Sequence, residues 1–188
     1  RKLKALHARR RQLVEDRKRE KTRRAQAREP FVLASIERVI ALFCEEIAAL
    51  EARIAELVAS NPDFAERAKL MRSAPGIGPV AVAALLAEMP ELGTLTPGAA
   101  AALVGLAPIA RDSGYRTGKR HIGGGRKPLR DTLYMAALSA ARHAPVLSAF
   151  ATRLRKAGKA PKQAVIAVAR KLIVILNAMI RDGRAYQI

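Results

Sequence analysis

The sequence predicts an all-α protein: a coiled-coil helical hairpin followed by a compact helical domain with a helix-hairpin-helix unit and a basic glycine-rich loop. Three observations predict it. Ala and Leu abound, while aromatics are only 4% and strand-like alternation is scarce. Leu33, Ile40, Ile47 and Ile54 recur every seven residues, and Ile36, Phe43, Leu50 and Leu57 follow the same period offset by three. These are a and d positions over four heptads. Downstream, Pro and Gly divide the chain into short apolar segments of helical length.

Composition bounds the partners. The chain has 188 residues and a net charge of +19, enough for one core plus an extended part. So large a positive charge implies a polyanionic partner. A membrane surface is disfavoured, because the charge is spread along the chain and Trp is absent. Scarce aromatics argue against base stacking as the main contact and for phosphate contacts. Cys44 is the single cysteine, so neither a disulfide framework nor a cysteine zinc site is expected. No metal site or cofactor is expected in this chain, and a reducing cytoplasm suits it. The longest apolar run, Ala164 to Ile180, is interrupted by Arg170 and Lys171.

Residues 1–60 read as a basic helix and coiled-coil arm, and 61–188 as a helical domain. A strongly basic first helix, Arg1 to Arg28, has a thin stripe of Leu3, Leu6, Leu13 and Val14. Glu29-Pro30 breaks it, and a second helix runs from Phe31 to Ser60. Its seam suits an antiparallel hairpin with the first helix or a dimer between copies. Pro62 opens a short helix over 64–73, and Ala74-Pro75-Gly76-Ile77-Gly78-Pro79 turns the chain into another over 80–89. That pair reads as a helix-hairpin-helix (64–89), whose free N–H groups near Gly76 and Gly78 would meet phosphate without sequence preference. The plainer reading is a tight connection with glycines for close packing. Thr96 caps and Pro97 starts a helix to Leu106. Further helices are expected over 128–143, 145–156 and 161–181, the last a core helix ended by Gly183. Lys159, Lys162, Arg170 and Lys171 add to its basic surface.

Between the helices ending at Leu106 and starting at Pro128 lies a polar loop, 108–127. It holds one Ser-Gly pair, Ser113-Gly114, among Arg111, Arg116, Lys119, Arg120, Arg126 and Lys127, with Arg130 just beyond. Guanidinium forks grip phosphate oxygens in pairs. A hydroxyl in such surroundings can attack phosphorus. Tyr134, one turn past Arg130, can bring its hydroxyl to the same phosphate; half-burial in the core is the plainer fate. Likewise Ser-Gly is a common turn pair.

The order Pro75-Gly76-Ile77-Gly78, Gly105-Leu106-Ala107-Pro108, Ser113-Gly114, Arg120, Gly125, Leu129-Arg130 and Leu133-Tyr134-Met135 resembles the C-terminal half of the insertion sequence 110 family of transposases. The likeness covers nearly the whole chain. It implies a DNA recombinase in which Ser113 is the nucleophile and forms a phosphoserine link to DNA. It also implies a RuvC-like acidic domain holding a divalent metal such as magnesium, a structured bridge RNA, and a homodimer or tetramer through the coiled coil. The acidic domain is not in this sequence, which opens at Arg1 inside a helix. The expectation is therefore a piece of a longer protein, inactive alone. The alternative is a non-catalytic helix-hairpin-helix module that binds nucleic acid and dimerises; a pure assembly domain is a third.

Overall fold

The computed structural model describes every residue except 111, 112, 116, 117, 119 and 188. Two compact units divide at residue 62. The first is a helical hairpin of α1 (Lys2–Gln26) and α2 (Pro30–Ser60). A link of three residues forces the helices antiparallel. Three cross-helix contacts fix the register: Arg10 to Glu51 at 2.7 Å, Arg17 to the Cys44 sulfur at 3.5 Å, and Arg24 to Glu37 at 3.0 Å. Glu29 accepts from the Val32 N–H at 2.7 Å, and Pro30 supplies the preset φ of the first turn.

The heptad seam is used inside the chain. Ile47 and Ile54 of α2 are buried, as are Leu3 and Leu13 of α1. The seam expected to serve either a hairpin or a dimer therefore serves the hairpin here. Towards the α1–α2 link burial falls off, and Phe31, Val32, Val39 and Leu42 stand exposed.

The second unit contains α3 (Pro62–Arg72), α4 (Pro79–Glu88), α5 (Pro97–Leu103), α6 (Lys127–His143), α7 (Pro145–Lys156) and α8 (Pro161–Asp182). Helix α8 is its spine and packs on α5, α6 and α7. Val168, Ala169, Leu172, Ile173 and Leu176 are fully buried there. Gln163 accepts from the Ala160 N–H at 3.1 Å to open α8, and Gly183 closes it with a left-handed φ of 64°. By length and composition α8 is the one described helix that could cross a membrane. Its most apolar positions instead form the centre of this unit. Buried alanines, among them Ala84, Ala100, Ala101, Ala137 and Ala140, let the helices approach closely. Asn177, also buried, accepts from Gly93 N–H at 2.8 Å and donates to the Leu95 carbonyl at 2.7 Å, tying the α4–α5 connection to the spine.

Two details differ from the sequence expectation. Helix α5 stops at Leu103 rather than 106, because Gly105 takes a φ of 69°. Its N–H bonds the Ala102 carbonyl at 2.9 Å and the Leu106 N–H bonds the Ala101 carbonyl at 2.8 Å. This paired closure is the Schellman pattern, with glycine at the left-handed position. The loop also contains a short antiparallel pair, β1 (Pro108–Ile109) with β2 (His121–Ile122). Two-residue strands are too short to leave a period of two in the sequence.

Candidate active-site loop

The loop that carries Ser113 rises from a narrow neck where α5 ends and α6 begins. The backbone N–H of Arg126 donates to the Leu103 carbonyl at 2.8 Å. Gly105 and Gly125, both at positive φ, face each other across the neck. A Cβ on Gly125 would press into the Gly105 nitrogen and lie 2.7 Å from the Leu103 oxygen and 2.9 Å from the Ala102 oxygen. Glycine is thus required on both counts, backbone angle and closeness. Above the neck the β1–β2 pair continues the two strands of chain side by side.

Two arginines clamp this base. Arg126 places its fork on Glu91, Nη2 to Oε1 at 2.7 Å and Nη1 to Oε2 at 2.9 Å, and Nη1 also reaches the Glu88 carbonyl at 2.6 Å. Donating hydrogen bonds to the Glu91 carboxylate raises the Arg126 pKa above the ordinary arginine value. Arg130 Nη1 donates to the Gly124 carbonyl at 2.7 Å and lies 3.5 Å from that of Gly105. Lys127 pairs with Asp131 one turn along α6 at 2.6 Å. The sequence placed these three cations among the phosphate-gripping groups. The structure commits Arg126 to Glu91, turns Arg130 onto the loop backbone and gives Lys127 a carboxylate. Glu91, 35 residues from Arg126, escaped sequence reasoning, because nothing in local spacing pairs them.

At the far end of the loop Ser113, Gly114 and Tyr115 are exposed, with Gly114 at a φ of 53° and, among the described residues, nothing within 4 Å of where a Cβ would stand. Arg120, just before β2, is exposed too. Arg111, Arg116 and Lys119 lie outside the described residues. Tyr134 is half-buried on α6, one turn past Arg130.

The α3–α4 connection separates its two glycines. Gly76, at a φ of 79°, lies so close to the Ala136 carbonyl of α6 that a Cβ would collide with it. Packing explains that glycine. Gly78 is exposed at the start of α4, with nothing near the position of a Cβ. Among the described residues no group of three or more His, Cys, Asp or Glu stands together as a metal site.

A family model described as Transposase IS116/IS110/IS902 family matches residues 68–152. That span runs from α3 through the neck and Ser113 to α7. The chain is 32% identical over 181 residues to the pilin gene-inverting protein of Moraxella bovis, covering 94% of this chain and 54% of that protein. It is 32% identical over 160 residues to the 43.6 kDa protein of insertion element IS110 of Streptomyces coelicolor, covering 84% of this chain and 38% of the relative. The 44.8 kDa protein of insertion element IS116 of Streptomyces clavuligerus is 35% identical over 128 residues, 64% of this chain and 31% of its own length. The chain thus spans about half, or less, of the curated relatives it matches. Neck, Ser-Gly loop and flanking helices all lie inside the matched span, and the chain belongs to the IS116/IS110/IS902 family of transposases.

Proposed function

We propose that this chain supplies the DNA-contacting, nucleophile-bearing part of a recombinase that moves or inverts DNA segments. The observation that carries the reading is the exposed Ser113-Gly114 pair on a loop with a clamped base. A nucleophile that must enter the groove of a polyanion has to project; its base must stay fixed, so that the hydroxyl meets phosphorus in line.

In the proposed step the Ser113 Oγ attacks a DNA phosphodiester. A phosphoserine ester forms, the bond from phosphorus to one deoxyribose oxygen breaks, and that oxygen takes up a proton as the serine proton leaves. Charge grows on the phosphoryl oxygens, where Arg120 and the loop cations Arg111, Arg116 and Lys119 would stabilise it. Reversal onto a second strand end completes the exchange and consumes no external energy, because each ester replaces another. Arg126 and Arg130 act on this reading by positioning the loop. Gly78 at the start of α4 offers a further backbone phosphate contact. The family resemblance extends the proposal to a structured RNA partner, to paired copies of the protein, and to a metal supplied by a domain outside this chain.

The test is Ser113→Ala in the full-length protein, read by strand exchange and by DNA binding. Exchange and the covalent protein–DNA adduct should disappear while binding persists. Exchange at the unsubstituted rate would refute the assignment.

A further inference from the structure

Helices α7 and α8 carry a charged surface that the Ser113 loop does not use. From Thr132 to the end of the chain, ten Lys or Arg stand against one acidic side chain, Asp182. Asp182 is held by its neighbour Arg181 at 2.8 Å. Arg153, Lys156, Lys159, Lys162, Arg170 and Lys171 are all exposed. None of them has a carboxylate partner among the described residues.

Two of these cations are brought together by a single ring. Arg153 of α7 lies 5.4 Å from the centre of Phe150, and Lys171 of α8 lies 4.8 Å from it. Cation–π attraction draws each towards the ring, yet it gathers two like charges with no counter-charge. Their repulsion is relieved when an anion joins them. Beside them an open groove of about 590 Å³ runs along α7, lined by Pro145, Ser148, Ala149, Thr152, Arg153 and Lys156. Arg153 and Lys156, three apart on one helix, have Cβ atoms about 5–6 Å apart, a separation that flexible side chains extend to neighbouring phosphates of one strand.

We propose that this α7–α8 face is a second binding site, for the phosphate backbone of duplex DNA. It does not rest on Ser113 being a nucleophile. Charge complementarity selects a polyanion. The one aromatic on the face, Phe150, is covered by cations and so offers no open ring for stacking a single-stranded base. It is equally unfit as a membrane anchor, and the apolar side of α8 is already buried. A duplex is the polyanion that presents phosphates without asking for stacking, and DNA is the partner implied by the transposase family.

The test uses full-length protein and a short DNA duplex of arbitrary sequence, with affinity measured across salt concentration. In the variant R153Q/K156Q/K159Q/K171Q the slope of log affinity against log salt should fall by about 0.9 for each phosphate that is no longer neutralised, about 3–4 in total. The charge-keeping variant R153K/K156R/K159R/K171R should retain the slope. Independently, Lys156, Lys159 and Lys171 of the unsubstituted protein should methylate readily when free and be protected by the duplex; this arm stands even if the glutamine variant misfolds. An unchanged slope in a folded glutamine variant overturns the proposal. So do lysines equally reactive with and without DNA, lysines already protected in the free protein, or an effect confined to duplex RNA or to anionic vesicles.

Discussion

Gly125→Ala puts the tightness of the loop neck to a quantitative test. At a φ of +57° any side chain is strained, at about 1–2 kcal/mol. The new methyl would also meet the Gly105 nitrogen and the carbonyls of Leu103 and Ala102. These are backbone atoms at the closed end of α5 and have no rotamer with which to yield, so overpacking adds about 2 kcal/mol. The combined loss is about 3–4 kcal/mol. For a unit of this size each kcal/mol lowers Tm by about 4 °C, so the fall should be about 12–16 °C. Gly124→Ala is the matched control. Its φ is +62°, yet nothing lies within 4 Å of its Cβ position. That variant carries strain alone, about 1–2 kcal/mol and about 4–8 °C. Calorimetric melting of the two proteins side by side isolates the contact from the backbone angle. Equal Tm values would refute the close-packed neck, and with it the idea that the base of the Ser113 loop is fixed.

Arg126→Gln opens the fork on Glu91 and should lower stability by about 1–2 kcal/mol by chemical denaturation, since the pair is only partly buried. Asn177→Leu strands the Gly93 N–H and the Leu95 carbonyl inside the second unit. A loss of about 2–4 kcal/mol should follow, and a neutral result would contradict the buried tie. In the first unit, Ile47→Ala should cost about 2–4 kcal/mol and loosen the hairpin. Far-UV circular dichroism at increasing temperature reads that loss, which should not depend on protein concentration if the seam is filled within one chain. Binding of the chain to duplex DNA should weaken steeply with salt, with little difference between sequences; a flat response would remove phosphate contact as the basis of binding.

The helices were legible because their signals are local. Four heptads in α2, and proline at the first turn of α2, α3, α4, α5, α6, α7 and α8, mark the elements without knowledge of their neighbours. What the heptad seam packs against was not legible, because a seam has the same pattern whether α1 or another copy fills it. Gly105 carried a readable signal for the end of α5, a glycine followed by an apolar residue, but the alanine run beyond Pro97 masked it. The site was legible as a composition and much less as a geometry. A row of cations around Ser113 is visible in the sequence. Which of them clamp the neck and which remain for a ligand depends on Glu91, and on carbonyls that only the fold brings near. Gly76 teaches the same lesson: a Gly-x-Gly turn reads as a phosphate site, while the first glycine is explained by the carbonyl of Ala136.

The distribution of carboxylates gives the charge of the chain a division of labour. Lys and Arg number 35 against 16 Asp and Glu. Several of the few carboxylates hold the parts that must keep their shape: Glu51 and Glu37 across the hairpin, and Glu91 at the neck. Part of the surplus lies where no carboxylate is paired, as on α7 and α8. These two populations respond differently to ions. The neck pair is short, bidentate and partly buried, so salt screens it weakly. The exposed cations act on a partner through solvent, where the screening length is about 8 Å at physiological ionic strength. Salt should therefore release nucleic acid long before it loosens the second unit. A protein held together by the same charges that bind its partner would lose both in one transition.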